Sequence, residues 1–326
     1  MVTGRPMQTT PHTLFIRGIY NAHRALAQTG CVLTIGNFDG VHLGHQAVLA
    51  QVRAQALKLQ VPAVAMTFEP QPQELFAPMQ APARLTNLRE KHVALAAQQL
   101  DYHLVERFDA SFAAQDPHAF IEHTLVGRLG VKFLVVGDDF RFGRGRTGDF
   151  NMLQQAGQQF GFAVVDTQSY RQAQTRVSST AIRAALTAHQ FTEAAAMLGR
   201  PFMLCGRVVH GEKRGRELGF PTANIMLKRL HSPLRGVYAV RVHGITHHGR
   251  AQSHYGVANI GPRPTVNGTR AQIEVHVFDF DDNLYGRQLQ IEPIGFVRAE
   301  QKFESLTALQ AQIKRDVEVA QAAAKR

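Results

Sequence analysis

Near residue 200 the chain changes rhythm, and no other feature limits its fold as much. Up to about residue 186, short apolar runs alternate with helical stripes. CVLTIG (31–36) precedes a helix carrying Val48, Leu49, Val52 and Leu57, and VPAVAMTF (61–68) precedes NLREKHVALAAQQL. The alternation continues through YHLVERF, a helix around HAFIEHTLVGRL, KFLVVG (132–137), a helix near FNMLQQAGQQFG, and FAVVDT. Strand cores that are apolar throughout predict a parallel sheet covered on both faces. Open α/β folds of this kind bind ligands beyond the carboxyl ends of their strands. After Gly199-Arg200-Pro201, strand-like segments follow one another between Gly- and Pro-rich turns: FMLCGRVVHG, GVYAVRVHGI, SHYGVANIG, AQIEVHVFDF and GRQLQIEPIGFV. A closing helix, SLTALQAQIKRDVEVAQAAA, has Leu306, Leu309, Ile313 and Val317 on one face. An antiparallel barrel or sandwich with a terminal helix is expected there. The 326 residues exceed what one core organises. Two domains, 14–186 and 187–326, are therefore expected, with the helical AALTAHQFTEAAAMLGRPF as connector.

The charge balance, 36 Lys and Arg against 25 Asp and Glu, gives a net charge of +11 and favours acidic partners. Composition alone leaves nucleic acid, anionic membrane and phosphorylated small molecules open. The polar amino-terminal segment lacks the apolar core of a secretory signal, and no stretch reaches the roughly 20 apolar residues of a membrane span. Cys31 and Cys205 lie far apart inside apolar runs and make neither a disulfide framework nor a zinc site. A reduced, cytoplasmic protein is expected.

The segment TIGNFDGVHLGHQ places a strand, then a tight turn with Asn37, Asp39 and Gly40, then His42-Leu43-Gly44-His45 opening a helix. Gly44 lets a phosphate chain approach the backbone, where helix-start N–H groups and two imidazoles meet its charge. The histidines are three apart and share one side of the first turn. No third ligand accompanies them, which argues against a metal. Farther on, Ser178, Ser179 and Thr180 stand between Arg176 and Arg183. Three hydroxyls and two guanidiniums supply donors for a triphosphate as well as a helix cap. Gly143–Gly148 matches GxGxxG, but DDFRF separates it from the strand KFLVV, so a dinucleotide turn is rejected in favour of an Arg-bearing flexible loop.

These residues resemble the HxGH nucleotidyltransferases, in particular the amino-terminal half of bacterial bifunctional riboflavin kinase/FAD synthetases. The resemblance is carried, in order, by IGNFDGVHLGH, FEPQPQELF, ARLT, VVGDDFRFGRGRTGDF and VSSTAIR. It implies a Rossmann-like domain that transfers the adenylyl group of ATP to FMN, giving FAD and pyrophosphate. His42 and His45 then stabilise charge on the reacting phosphates without a covalent intermediate. Asn37, Phe38 and Asp139 position ATP or flavin, Arg141 lies in a phosphate-facing loop, and Ser178–Thr180 with Arg183 hold phosphates. Many relatives carry His in the FxPHP element, where this chain has Gln71.

In the second half the densest cluster is RVVHGEKRGRELGFPTANI. Gly211, Gly215 and Gly219 accompany Lys213, Arg214 and Arg216, followed by Phe220, Pro221, Thr222 and Asn224. Glycines permit close approach to phosphates, and a hydroxyl beside an amide offers oxygen ligands to Mg²⁺. There is no GxxxxGK[ST], so this is not a P-loop. In QIEVHVFD, alternation puts Glu274, His276 and Phe278 on one face, where the carboxylate can serve as a general base or simply face solvent. DFDDN lacks Gly at its sixth position (Leu284) and Glu at its twelfth (Gln290), which excludes an EF-hand.

This ordered set resembles the riboflavin kinases through GRVVHGEKRGRELGFPTAN, GVYAV, GVANIGPRPT (with Asn259), IEVHVFDFDDNLYG and FVRAEQKFESLTALQAQIKRD. The resemblance implies a small flavokinase barrel that transfers the ATP γ-phosphate to the ribityl 5′-hydroxyl of riboflavin. Thr222 and Asn224 contact Mg²⁺ and phosphate, Glu274 is the base, the glycine-basic loop covers the nucleotide, and Arg298 lies near the flavin. Many relatives have Asp where this chain has Ala299. The joint expectation is FAD synthesis from riboflavin, ATP and Mg²⁺ through FMN, with small-molecule partners, neither nucleic acid nor membrane, and a homo-oligomer open. Two other classes stand beside it. A nucleic-acid binder would show steep salt dependence, and a flavin carrier without catalysis would make no FMN or FAD. Other cations, such as Lys228 and Arg229 or Lys314 and Arg315, are expected on a solvated surface.

Overall fold

A computed structural model of the chain describes residues 13–26, 28–167, 171–172, 175–211, 215, 219–247, 250–265 and 268–325. Two compact units divide between Arg176 and Val177. The first runs to Ala81 and resumes over Leu88–Arg176, and the second takes in Val177–Arg326 together with Pro82–Asn87. The helical connector thus belongs to the second unit, and so does the ARLT segment.

In the first unit, β1 (Leu14–Arg17), β2 (Cys31–Ile35), β3 (Ala63–Glu69), β4 (Tyr102–Arg107), β5 (Val131–Val136) and β6 (Ala163–Asp166) form one sheet in the order β1-β4-β3-β2-β5-β6. Every pairing is parallel. All five residues of β2 are buried because alternate side chains serve opposite cores. Leu33, Met66 and Leu134 join one cluster, while Val32, Ala65 and Val135 join the other. Each such side chain contributes about 1.5–3 kcal/mol on full burial, which explains runs that are apolar without alternation.

The strand order fixes where a ligand goes. The chain passes from β2 to β3 and β4 on one side, then returns to set β5 against the other side of β2. The carboxyl end of β2 is therefore a switch point, the customary ligand crevice of open α/β sheets. The expected helix at HAFIEHTLVGRL is a π-helix over Phe120–Arg128. Strand β1 was not anticipated; it is a short, largely exposed edge with no alternation to read. Gly143–Gly148 is a short turn in which Arg144–Arg146 make a 3₁₀ segment. Phe142 pairs with Gly148 across that turn, and the Arg144 N–H donates to Gln115 O at 2.8 Å. It is a bridged turn, far from a strand-to-helix dinucleotide loop. The short strands β7 (Arg171–Gln172) and β8 (Thr175–Arg176) pair with each other.

In the second unit, β9 (Leu204–Val209), β10 (Ala223–Met226), β11 (Gly236–His247), β12 (Arg250–Thr265), β13 (Gly268–Val277) and β14 (Gln288–Arg298) close into a barrel, β10-β13-β12-β11-β14-β9. All its pairings are antiparallel. Of the barrel and the sandwich, the chain forms the barrel. Its interior is filled by Val208, Ile225, Val240, Ile260, Ile273, Val275 and Ile291. A ligand must therefore bind outside the wall. The connector helices Ser179–Thr187 and Phe191–Leu198 add Ile182, Leu186, Ala194 and Leu198 to the same core.

The terminal helix Leu306–Ala324, N-capped by Ser305, packs on the outer face of β11, β12 and β14. Ala320 is buried there with Val237, Ala239, Val257 and Phe278, whereas Leu306 is exposed, so the helix docks through its later turns more than the apolar stripe suggested. Arg229 corrects the solvated-surface expectation. It is buried, and its Nη1 donates to Arg84 O at 2.8 Å, fastening the ARLT segment to the barrel unit. Lys228, Lys314 and Arg315 are exposed as expected.

Candidate functional site

The chain leaves β2 through Asn37–His42, a turn with Phe38 at φ 44°, Gly40 at φ 85° and Val41 at φ 42°. Left-handed backbone at a non-glycine residue costs on the order of 1–3 kcal/mol and persists where packing over-determines it. That packing is present: Phe38 and Val41 are buried in the core beneath the helix Leu43–Leu59, and Asp39 is buried beside them. The turn aims the helix N-terminus across the carboxyl end of the sheet. His42 caps the helix, its Nδ1 accepting the His45 N–H at 3.3 Å. The two imidazoles stack with centroids 3.6 Å apart, and the Phe38 ring lies 5.0 Å from that of His45.

Burial first, then the neighbouring His42 and Lys91, hold His45 well below the ordinary imidazole pKa. His45 is therefore neutral at pH 7, a hydrogen-bonding group rather than a second cation. Its buried Nδ1 has no hydrogen-bond partner among the described residues. Gly44 lies in the first turn of the helix, and Asn37 is exposed at the mouth of the crevice. Asp139 is also exposed and follows β5, the strand paired with β2, so the topology brings it to the same edge of the sheet. Arg141 is exposed, with Nη1 donating to Phe140 O at 2.9 Å. Gln71 is buried ahead of the helix Pro72–Phe76; its backbone N–H donates to Glu74 Oε2 at 3.0 Å, and its Nε2 has no partner among the described residues.

Ser178, Ser179, Thr180 and Arg183 belong to the second unit. Ser178 caps its helix, with Oγ accepting the Ala181 N–H at 3.2 Å, while Ser179 is half-buried and Thr180 exposed. Arg183 Nε donates to Ala83 O at 2.6 Å. Cys31 is buried, and burial pushes its thiol up to about 12; Cys205 is half-buried.

In the barrel unit a cleft of about 450 Å³ lies against the outer wall, under the terminal helix. Phe220, Thr222, Asn224, Asn259, Glu274 and Arg298, each singled out from sequence, all line it. Register explains the gathering: Asn224 on β10 pairs with Glu274 on β13, which pairs with Asn259 on β12. A second cleft of about 520 Å³, bounded by Pro221, Phe280 and Tyr285, shares Thr222 with the first. A Cβ at Gly211 would fall 2.2 Å from Asn224 Nδ2, so only glycine permits that approach. Gly219 adopts φ 85°, the Phe220 N–H donates to Gly215 O at 2.7 Å, and the His276 ring donates from Nδ1 to Pro221 O at 2.8 Å. Lys213 and Arg216 lie outside the described residues.

Three functional neighbours escaped the sequence reading. Strand β10 was not among the expected strands, yet it delivers Asn224. Gln272 is buried and donates from Nε2 to Asn224 Oδ1 at 2.6 Å and to Glu274 Oε1 at 3.3 Å. Its position two residues before Glu274 on a strand was the available signal. Asp316 lines the cleft from the terminal helix and binds Arg298. Among the described residues no three His, Cys, Asp or Glu side chains group as a metal cage. The donors at Thr222 and Asn224 are neutral oxygens, which suit a Mg²⁺ ion that takes its remaining ligands from phosphate and water.

Two family models match the chain: FAD synthetase over residues 25–181 and riboflavin kinase over residues 198–324. The chain is 53% identical over 301 residues to the bifunctional riboflavin kinase/FMN adenylyltransferase of Escherichia coli strain K12, covering 92% of this chain and 95% of that protein. It is 49% identical to the protein of the same name from Haemophilus influenzae, over 94% and 98% of the two chains. The relative from Pseudomonas fluorescens is 47% identical over 95% and 97%. Among solved structures, one titled a macrolide-efflux protein from Streptococcus pneumoniae superposes with a TM-score of 0.72 at 29% identity. It covers 94% of this chain and 98% of its own. No helix among the described residues is long and apolar enough to cross a membrane.

Proposed function

The chain belongs to the family of bifunctional riboflavin kinase/FMN adenylyltransferases, and on that premise we propose how its residues divide the two reactions. The protein phosphorylates riboflavin to FMN through its carboxy-terminal segment and adenylylates FMN to FAD through its amino-terminal segment. The observation that carries the kinase assignment is the strand register that sets Glu274 between Asn224 and Asn259 in a cleft outside a filled barrel.

Riboflavin occupies that cleft with its ribityl 5′-hydroxyl at Glu274. The carboxylate accepts the hydroxyl proton as the new O–P bond forms to the γ-phosphorus and ADP departs. ATP takes the adjoining cleft with its phosphates directed toward Thr222, and Lys213 and Arg216, outside the described residues, are read as supplying charge. Thr222 Oγ1 and Asn224 Oδ1 would hold Mg²⁺, which neutralises phosphate charge when bound. Gln272, donating to both Asn224 and Glu274, keeps the metal-binding amide and the base in register.

In the first unit the phosphate of FMN attacks the α-phosphorus of ATP and pyrophosphate leaves. The crevice at the end of β2 receives the phosphates at a helix N-terminus, where backbone N–H groups, His42 and neutral His45 donate to developing charge. Asn37, Asp39, Asp139 and Arg141 position the substrates, Phe38 acts by packing on His45, and Gly44 admits the phosphate chain. Ser178, Ser179, Thr180 and Arg183, which belong to the second unit, keep their reading as phosphate-binding residues. The reading includes a cytoplasmic location, which suits two cysteines held as thiols.

A crossed pair of variants tests the assignment. Glu274→Gln should lower FMN formation by about 10²–10⁴-fold, the usual worth of a placed base, while FMN-to-FAD conversion persists. His42→Ala with His45→Ala should stop FAD formation and spare FMN formation. Riboflavin or FMN is supplied with ATP and Mg²⁺, and the flavins are separated chromatographically. Equal loss of both activities in either variant overturns the division of residues.

A further inference from the structure

Arg298 stands at the end of β14 on the wall of the first cleft, and its guanidinium is held with unusual completeness. Nε donates to Asp316 Oδ1 and Oδ2 at 2.9 and 3.0 Å, and Nη2 donates to Asp316 Oδ2 at 2.8 Å. Nη1 donates to Ala299 O at 2.9 Å. Asp316 is buried on the terminal helix, and Gln312, one turn earlier, donates to its Oδ1 at 2.9 Å. Phe303 closes the other side, with its ring centroid 5.5 Å from the guanidinium carbon. A guanidinium carries five N–H groups. Three are engaged, so one on Nη1 and one on Nη2 have no partner among the described residues. They project from a plane fixed by a side-on carboxylate, which is the strongest orienting contact available to Arg.

We propose that Asp316 is a positioning residue of the kinase, fixing Arg298 so that its two remaining N–H groups meet the carbonyl edge of the flavin ring. The inference rests on the reading of this cleft as the riboflavin site, and it gives the terminal helix a function beyond covering the barrel. The fork selects a planar ligand that presents carbonyl oxygens at its edge. Because Asp316 neutralises Arg298, the site binds a neutral ring without placing an unpaired cation against it. Asp316 acts through Arg298 and touches no reacting atom, so its loss should weaken ring binding and leave phosphoryl transfer from the bound state nearly intact.

The test uses the full chain and two readouts, the KM and kcat for riboflavin phosphorylation and the binding of lumichrome, a flavin ring without the ribityl chain. Arg298→Ala should raise the riboflavin KM more than tenfold, in line with loss of charge-assisted hydrogen bonds. Asp316→Asn should raise it about tenfold, weaken lumichrome binding by a similar factor and change kcat less than twofold. In the Arg298→Ala background, Asp316→Asn should add nothing, because a residue acting through another loses its effect when that other is gone. Gln312→Leu, which leaves the ion pair intact, should raise KM about two- to threefold and keeps the test readable if Asp316→Asn folds poorly. An unchanged riboflavin KM in Arg298→Ala overturns the cleft assignment itself. An effective Arg298→Ala beside an inert Asp316→Asn, additive losses in the double variant, or a fall confined to kcat overturns the positioning role.

Discussion

Most of the residues proposed for adenylyl transfer in the first unit lie on one stretch, Asn37–His45, at the end of β2, and Asp139 and Arg141 follow the neighbouring β5. Those proposed for phosphoryl transfer in the second unit come from β10, β12, β13 and β14, with the terminal helix adding Asp316. The first arrangement is local: a turn with Phe38 and Val41 in left-handed backbone is locked by the core beneath it. The second is non-local and depends on register, because a slip of one residue would turn Glu274 to the opposite face. A local site tolerates change elsewhere in the fold, whereas a register-built site fails when any neighbouring strand shifts. A change in one arrangement therefore leaves the other as its control.

Beyond the Glu274 and histidine variants, the largest effect is expected from Gly211→Ala. Its new Cβ would lie 2.2 Å from Asn224 Nδ2 and 2.7 Å from Oδ1, so Asn224 must move and drag the Gln272 contact with it. Displacement of about 1 Å at a positioned group costs on the order of 10²-fold in rate. The kcat of FMN formation should fall about a hundredfold, with FAD formation from supplied FMN unaffected. A kinase rate within twofold of the parent would show that Asn224 is less fixed than its bonds imply.

Gln272→Leu sharpens the same comparison at smaller cost. It strips Asn224 Oδ1 of its 2.6 Å donor in a buried setting, which destabilises by about 1–3 kcal/mol. A urea melt monitored on the barrel unit should show that loss, and the KM for Mg²⁺ should rise because the amide oxygen is no longer held. An unchanged melt would mean that the amide pair is not a structural element. Gln272 also shows what the sequence hid. The alternating parallel-sheet pattern, HLGH and the Glu274 strand were all legible, because short-range periodicity and local motifs decide them. Strand β10, Gln272 and Asp316 were not, because each gains its meaning from a partner distant in the chain: Asn224 from Glu274, Gln272 from Asn224, Asp316 from Arg298. Arg229 was misread for the same reason. A cation beside Lys228 looks solvated until Arg84 O, far away in sequence, captures it.

A last predicted effect separates the units by acid. His103 on β4 is completely buried, its Nε2 lies 2.9 Å from Thr67 Oγ1, and its ring stacks on that of His92. Burial first, then His92 and Lys91, lower its pKa from 6.5 to about 3. His45 and His92 of the same unit are also pushed down, chiefly by burial. Between pH 6.5 and 3 the unfolded chain binds the proton that folded His103 refuses, so stability is complete above about pH 6.5 and falls as pH drops through that window. One such imidazole contributes a slope of up to about 1.4 kcal/mol per pH unit. In the barrel unit, His189 is lowered by burial, which predicts a shallower acid slope there. Hydrogen-exchange protection of β4 should therefore decay before that of β11 as pH is taken from 7 to 4. His103→Gln, which keeps a partner for Thr67, should flatten the β4 profile and leave β11 unchanged. Parallel decay of the two strands, or an unaltered β4 slope in the variant, would mean that acid sensitivity is shared and that the buried imidazole stack does not distinguish the two units.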